Sequence, residues 1–236
     1  DEQFELERDR IFKKVWLFAS RIEKIPNPGD FHVVDLPICE TSVVLVRGND
    51  GEVRAFHNVC AHRGNKLAYD QSGNTRRLVC RFHGWSYDLE GALRLVPDED
   101  NWFDLDKSCH GLTPVAVGVW EGFVFINLDP KPSQTLREYL GEAAETLDGY
   151  PFAETSAQPY TFTTVFNANW KLVKDAFQEV AHVPFQHHGS LPDGFVSEDN
   201  PYTHFIDMRL YGPHGRASLF GNNQHVDTPA QALASA

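Results

Sequence analysis

Short alternations of apolar and polar residues dominate the first half of the chain. Phe31-His32-Val33-Val34 and Thr41 to Arg47 read as strands, and Asn49-Asp50-Gly51 is a hairpin signal leading into Glu52 to Phe56. Leu78-Val79 and Trp85-Ser86-Tyr87 are short strand signals, the second followed by the turn Asp88-Leu89-Glu90-Gly91. Val115 to Trp120 and Phe123 to Leu128 form a hairpin about Glu121-Gly122. The flanks have a different period. Phe4, Ile11, Val15 and Phe18 share one stripe, which predicts a helix over 4–18 stopped by Pro26-Asn27-Pro28-Gly29. Asp129-Pro130-Lys131-Pro132-Ser133 reads as a boundary, with Ser133 able to cap a helix from Gln134 to about Leu147. Beyond it, Tyr160 to Phe166 alternates like a strand, Asn169 to Ala181 is helical in pattern, and Thr203 to Phe220 reads as a hairpin.

The chain has 236 residues with 21 Lys+Arg against 33 Asp+Glu, a formal net charge of −12. No basic stripe could neutralise phosphates, so nucleic acid is excluded as a partner. No apolar run approaches the ~20 residues of a membrane helix, and the N-terminal stretch is charged throughout; the expectation is a cytoplasmic protein. With four cysteines there is no disulfide framework, so metal binding or buried thiols are expected, the latter for Cys39 and Cys109.

The other two cysteines sit in paired loops, Cys60-Ala61-His62 and Cys80-Arg81-Phe82-His83. Each loop offers one thiolate and one imidazole, the mixture that a Rieske [2Fe–2S] cluster needs: Cys60 and Cys80 on one iron, His62 and His83 on the other. Gly64 and Gly84 follow the ligands, where the chain must turn sharply and aim N–H groups at sulfur. A structural zinc site is the competing reading. Zinc modules commonly pair Cys with Cys and His with His along the chain, whereas here they alternate.

A second constellation lies downstream. On a helix, Asp175, Glu179 and His182 fall at i, i+4, i+7 on one face. Pro184 is expected to end that helix and let His187 fold back toward His182. Two histidines so placed are half of a 2-His-1-carboxylate iron site.

Asn58-Val59-Cys60-Ala61-His62-Arg63-Gly64-Asn65 and Cys80-Arg81-Phe82-His83-Gly84-Trp85-Ser86-Tyr87-Asp88 resemble the Rieske signature of aromatic-ring-hydroxylating oxygenases. Asn169-Trp170-Lys171, Asp175, Glu179, His182 and His187 resemble the mononuclear-iron motif of the same family's large (alpha) subunit, with Glu179 where most members have Asp. Respiratory Rieske proteins carry a disulfide beside the cluster. Asn65 and Phe82 occupy those two places here, which implies a reduction potential near the low end of the Rieske range, about −150 mV.

The resemblance implies an α+β chain: an all-β Rieske domain over 30–129, inserted in a helix-grip (START/Bet v1-like) catalytic domain made of 1–29 and 130–236 and stopping short of a complete family member. It implies a mononuclear Fe(II) held by His182 and His187, with the third ligand, a carboxylate, expected beyond residue 236. Asp193, Asp199, Asp207 and Asp227 match no motif for it. Glu179 is the expected catalytic residue, bridging a cluster histidine of a neighbouring subunit to His182. A reductase or ferredoxin would pass electrons from NAD(P)H. O₂ would be used to hydroxylate or demethylate an aromatic or other organic substrate in a homotrimer, with or without a small beta subunit. Two rivals stand beside this reading: a pure Rieske electron carrier, and a catalytically incomplete fragment.

Overall fold

The structure is a computed structural model that describes residues 2–152, 163–187, 189, 201, 203–205 and 207–218. It divides into two compact units, one of residues 1–139 and 148–155, the other of 140–147 and 156–236.

The first unit is built on a seven-stranded sheet. Its strands are β1 (Leu17–Arg21), β2 (Asp30–Leu36), β3 (Thr41–Arg47), β4 (Val53–His57), β5 (Ser72–Asn74), β9 (Pro114–Trp120) and β10 (Phe123–Asn127), in the order β1-β10-β9-β4-β3-β2-β5. All of its pairings are antiparallel. β6 (Leu78–Val79), β7 (Ser86–Tyr87) and β8 (Leu93–Leu95) form a separate three-stranded sheet.

β3 shows how the pattern becomes a core. Val43, Val44, Leu45 and Val46 are all fully buried, because both faces of this central strand are covered. Val44 and Val46 face the core that contains Phe56, Cys60, Cys80, Trp85 and Tyr87. Val43 and Leu45 face the other, with Ile25, Ala55, Val124 and Ile126. Alternation along one strand thus sets two cores on opposite faces, and the cysteines fall in the first. The β9–β10 turn is at Glu121 (φ 47°) and Gly122 (φ 80°), both in the left-handed region that a two-residue hairpin matching the strand twist requires.

At the N-terminus the amphipathic stripe is only partly helical. α1 (Glu2–Glu7) runs into a π-helical turn, Arg8–Phe12, and the chain is extended from Leu17. Phe18 therefore lies on β1, where its ring meets Phe123 and Phe125 edge-on, and not on a helix. The helix after the boundary, α2 (Leu136–Glu145), starts later than expected. Thr135, not Ser133, makes the cap: its backbone N–H and hydroxyl donate to Glu138 Oε2 at 2.8 Å, a capping box. Gly141 (φ 50°) kinks α2.

In the second unit α3 (Trp170–Ala176) is capped by Asn169, whose side chain accepts from the Lys171 N–H. α4 (Val183–Gln186) is one short turn, and β11 (Asp207–Tyr211) pairs with β12 (His214–Ser218) in the expected hairpin. Thr163–Phe166 carry no strand; the rest of the strand expected at 160–166 lies outside the described residues. Among the described residues no helix is long and apolar enough to cross a membrane.

Candidate metal centres

The two cluster loops repeat one design. In each, the cysteine N–H donates to the carbonyl five residues on: Cys60 to Asn65 at 2.8 Å, Cys80 to Trp85 at 2.8 Å. In each, a glycine four residues on donates back to the cysteine carbonyl: Gly64 at 3.0 Å, Gly84 at 2.9 Å. Both glycines sit at left-handed φ, 71° and 72°. At Gly84 a Cβ would also lie 2.8 Å from Pro97 Cγ. Asn58, 1 % exposed, anchors the first loop. Its Oδ1 accepts from the Leu67 and Ala68 N–H groups, and its Nδ2 donates to Ser42 Oγ and the Ala68 carbonyl.

These loops bring the four predicted ligands together in pairs. Cys60 and Cys80 are both buried in the same core. The His62 and His83 rings are 4.7 Å apart, centroid to centroid. A like-with-like pairing suits two irons, one held by sulfur and one by nitrogen.

The surroundings fit the same group. Tyr87 OH lies 3.1 Å from Cys60 Sγ and accepts from the Ala61 N–H at 3.2 Å. Burial and the adjacent Cys60 sulfur push the Tyr87 phenol up, so it stays protonated and able to donate. Burial raises the Cys60 thiol; at Cys80 burial is outweighed by the N–H groups of Phe82 and His83, and the thiol falls below its usual range. Burial, then the His83 ring, lowers His62, favouring the neutral imidazole that a metal takes. Trp85 stacks on His62 at 4.7 Å and 11°, while Trp102 meets that ring edge-on at 5.0 Å. Trp85 Nε1 is buried with no acceptor among the described residues, beside the His62 ring. His83 is exposed, with the exposed Phe82 ring 4.0 Å away.

Several of these groups escaped the sequence reading. Asn58, Tyr87 and Asn65 stand inside the quoted motif, yet their roles depend on contacts that spacing does not reveal. Trp102 sits in an acidic loop with no periodic signal. Cys109, expected to be buried, is exposed, its Sγ 3.4 Å from Asp106 Oδ2, whereas Cys39 is buried as expected.

The second constellation is differently built from the expected helix. α3 ends at Ala176, so Glu179 and His182 do not lie on the helical face of Asp175. Pro184 does not end a helix but sits in the first turn of α4, where its missing N–H costs nothing. The irregular segment between still joins Glu179 to His182: Oε1 meets Nδ1, and Oε2 accepts the His182 N–H at 3.3 Å. That contact holds the Glu179 carboxyl below its usual range. The His182 and His187 rings lie 5.2 Å apart. Glu179 also lines a cleft of about 500 Å³ with Gln178, Phe185, His204, Phe205 and Met208. Asp207 is paired with Arg209 and Arg216. His188, Asp193, Asp199, His225 and Asp227 lie outside the described residues.

Comparison with known proteins matches a family model to each half of the chain. Residues 15–117 match the Rieske [2Fe-2S] domain, and 136–235 match the ring hydroxylating alpha subunit catalytic domain. The chain is 35% identical over 202 residues to the large oxygenase component of the naphthalene 1,2-dioxygenase system of Pseudomonas aeruginosa, covering 82% of this chain and 44% of that one. It is 33% identical over 186 residues to the carnitine monooxygenase oxygenase subunit of Escherichia coli, covering 79% and 49%. A quaternary ammonium Rieske monooxygenase structure superposes with TM-score 0.74 at 31% identity, over 80% of this chain and 51% of that one. The chain thus spans about half the length, or less, of the relatives it matches. With both domains present in order, the chain belongs to the alpha-subunit family of the Rieske ring-hydroxylating oxygenases.

Proposed function

We propose that this chain is the oxygenase component of a Rieske non-haem iron oxygenase, which hydroxylates or demethylates a small organic substrate with O₂. The observation that carries this is one chain holding both a paired Cys/His site and a His182/His187 pair with a carboxylate in contact. When bound, the cluster supplies single electrons and the mononuclear iron supplies O₂ activation.

The chain's own residues do the rest. Cys60, Cys80, His62 and His83 hold the cluster, and Tyr87 donates to a ligand sulfur. Glu179 accepts from His182 Nδ1, which fixes the tautomer and leaves Nε2 for the metal. His83 is exposed, so it can reach a carboxylate on another subunit. In this reading the subunits form a ring, a homotrimer, in which one subunit's His83 or His62 meets its neighbour's Glu179, with a separate reductase or ferredoxin as donor. The third iron ligand lies outside the described residues in this reading. An acidic surface and the lack of any spanning helix among the described residues agree with a cytoplasmic location.

The cleft beside Glu179 is lined largely by apolar side chains, including Phe185, Phe205 and Met208, which suits an aromatic substrate. A second reading has its own support: Phe185 and Phe205 beside a carboxylate also suit a quaternary ammonium group. Turnover of naphthalene-type and trimethylammonium substrates with an NAD(P)H-dependent reductase separates them. His182→Ala should lose the mononuclear iron and all oxygenation while the cluster spectrum is unchanged. Full turnover in that variant would show that His182 is not an iron ligand.

A further inference from the structure

Asn65 occupies the place where respiratory Rieske proteins have a disulfide cysteine, and its side chain is not idle. Its Nδ2 lies 2.8 Å from the Lys66 carbonyl, 3.0 Å from Tyr69 OH and 3.7 Å from Cys80 Sγ. A carbonyl can only accept, so the atom facing Lys66 must be the NH₂ group. Two N–H protons therefore serve three acceptors. The Lys66 bond is short and takes one. The other is shared between a neutral phenol and the sulfur of a cluster ligand.

We propose that Asn65 is a positioning residue that raises the reduction potential of the cluster, by donating to Cys80 Sγ in competition with Tyr69. The argument rests on the cluster reading above. A ligand sulfur grows more negative when the cluster gains an electron. Donors to charged acceptors are roughly twice as strong as neutral pairs, so the bond to Cys80 strengthens in the reduced state more than in the oxidised one. That difference favours reduction. Cys60 has its own donor in Tyr87, so each thiolate receives one side-chain hydrogen bond, Tyr87 on one side and Asn65 on the other. The backbone of Asn65 is fixed separately, its carbonyl accepting from the Cys60 N–H at 2.8 Å, and that bond survives a side-chain change. Tyr69 is 48 % exposed with the Arg81 guanidinium 5.0 Å above its ring, so the competing acceptor stands at the surface.

The experiment is a spectroelectrochemical titration of purified protein, the electrode supplying the electron and the visible and EPR spectra reporting the cluster. Asn65→Leu and the near-isosteric Asn65→Asp should keep the cluster and move its midpoint negative. For Asn65→Leu we expect at least threefold in the reduction equilibrium, where tenfold is about 59 mV for one electron. Tyr69→Phe keeps the ring beneath Arg81 but removes the competing acceptor, so its midpoint should move positive. A general loosening of the loop would not give opposite signs. Coincident midpoints for Asn65→Leu and wild type would overturn the proposal, as would a negative shift in Tyr69→Phe. Wild-type protein without acid-labile sulfide would instead sink the cluster reading itself.

Discussion

Asn58 spends its whole side chain on neighbours: two backbone N–H groups, one carbonyl and the Ser42 hydroxyl. Replacing it by Leu would strand the Leu67 and Ala68 N–H groups in a buried loop, at about 1–3 kcal/mol each. Asn58→Leu should therefore lower the urea midpoint and release the cluster earlier than in wild type; an unchanged midpoint would show that the loop is held elsewhere. Tyr87→Phe is milder. The ring stays packed and only the hydroxyl at Cys60 Sγ is lost. The cluster should form normally with a lower midpoint potential, and an equal or higher value would remove Tyr87 from the set of donors. The four proposed ligands were readable from residue type and alternation alone. Their partners were not, because a hydrogen bond across 27 residues, such as Cys60 to Tyr87, leaves no local signal.

At the scale of elements, the strands of the first unit were legible where alternation was clean. Thr41–Arg47 is the expected strand to the residue, and the hairpin about Glu121-Gly122 has the expected turn. β1 was missed because Phe18 also completes a helical stripe, and its pairing with β10 is a long-range fact that periodicity cannot carry. The failure at 169–182 is more instructive. Helical spacing placed Glu179 beside His182, and the structure does bring them together, but through an irregular turn after Ala176. The contact was anticipated for the wrong reason. The paired loops offer a test of element design. Gly64 and Gly84 share a left-handed φ, yet a Cβ at Gly64 meets nothing within 4 Å while one at Gly84 meets Pro97. Gly64→Ala should cost only the left-handed penalty, about 1–2 kcal/mol. Gly84→Ala should cost that plus the clash, and lose more cluster in a paired chelator challenge. Equal losses would mean that Pro97 gives way freely.

At the scale of the whole molecule, the proposed cluster ligands and the proposed iron ligands His182 and His187 fall in different compact units. The electron path between them is proposed to cross subunits at Glu179. Glu179→Gln should keep both metals and the oligomer but slow re-oxidation of the reduced cluster by O₂ and substrate by more than the ~10–100-fold typical of a group that merely orients a ligand. Glu179→Asp should be milder. Stopped-flow traces at the wild-type rate for the Gln variant would remove Glu179 from the path. Beneath all of this lies one claim, that Cys60, His62, Cys80 and His83 hold a [2Fe–2S] cluster. Pulsed EPR on dithionite-reduced protein tests it most directly. The account predicts acid-labile sulfide and coupling to two imidazole nitrogens, one of them lost in each of His62→Cys and His83→Cys. Colourless, zinc-loaded protein without labile sulfide, or a reduced cluster with no nitrogen coupling, would contradict it.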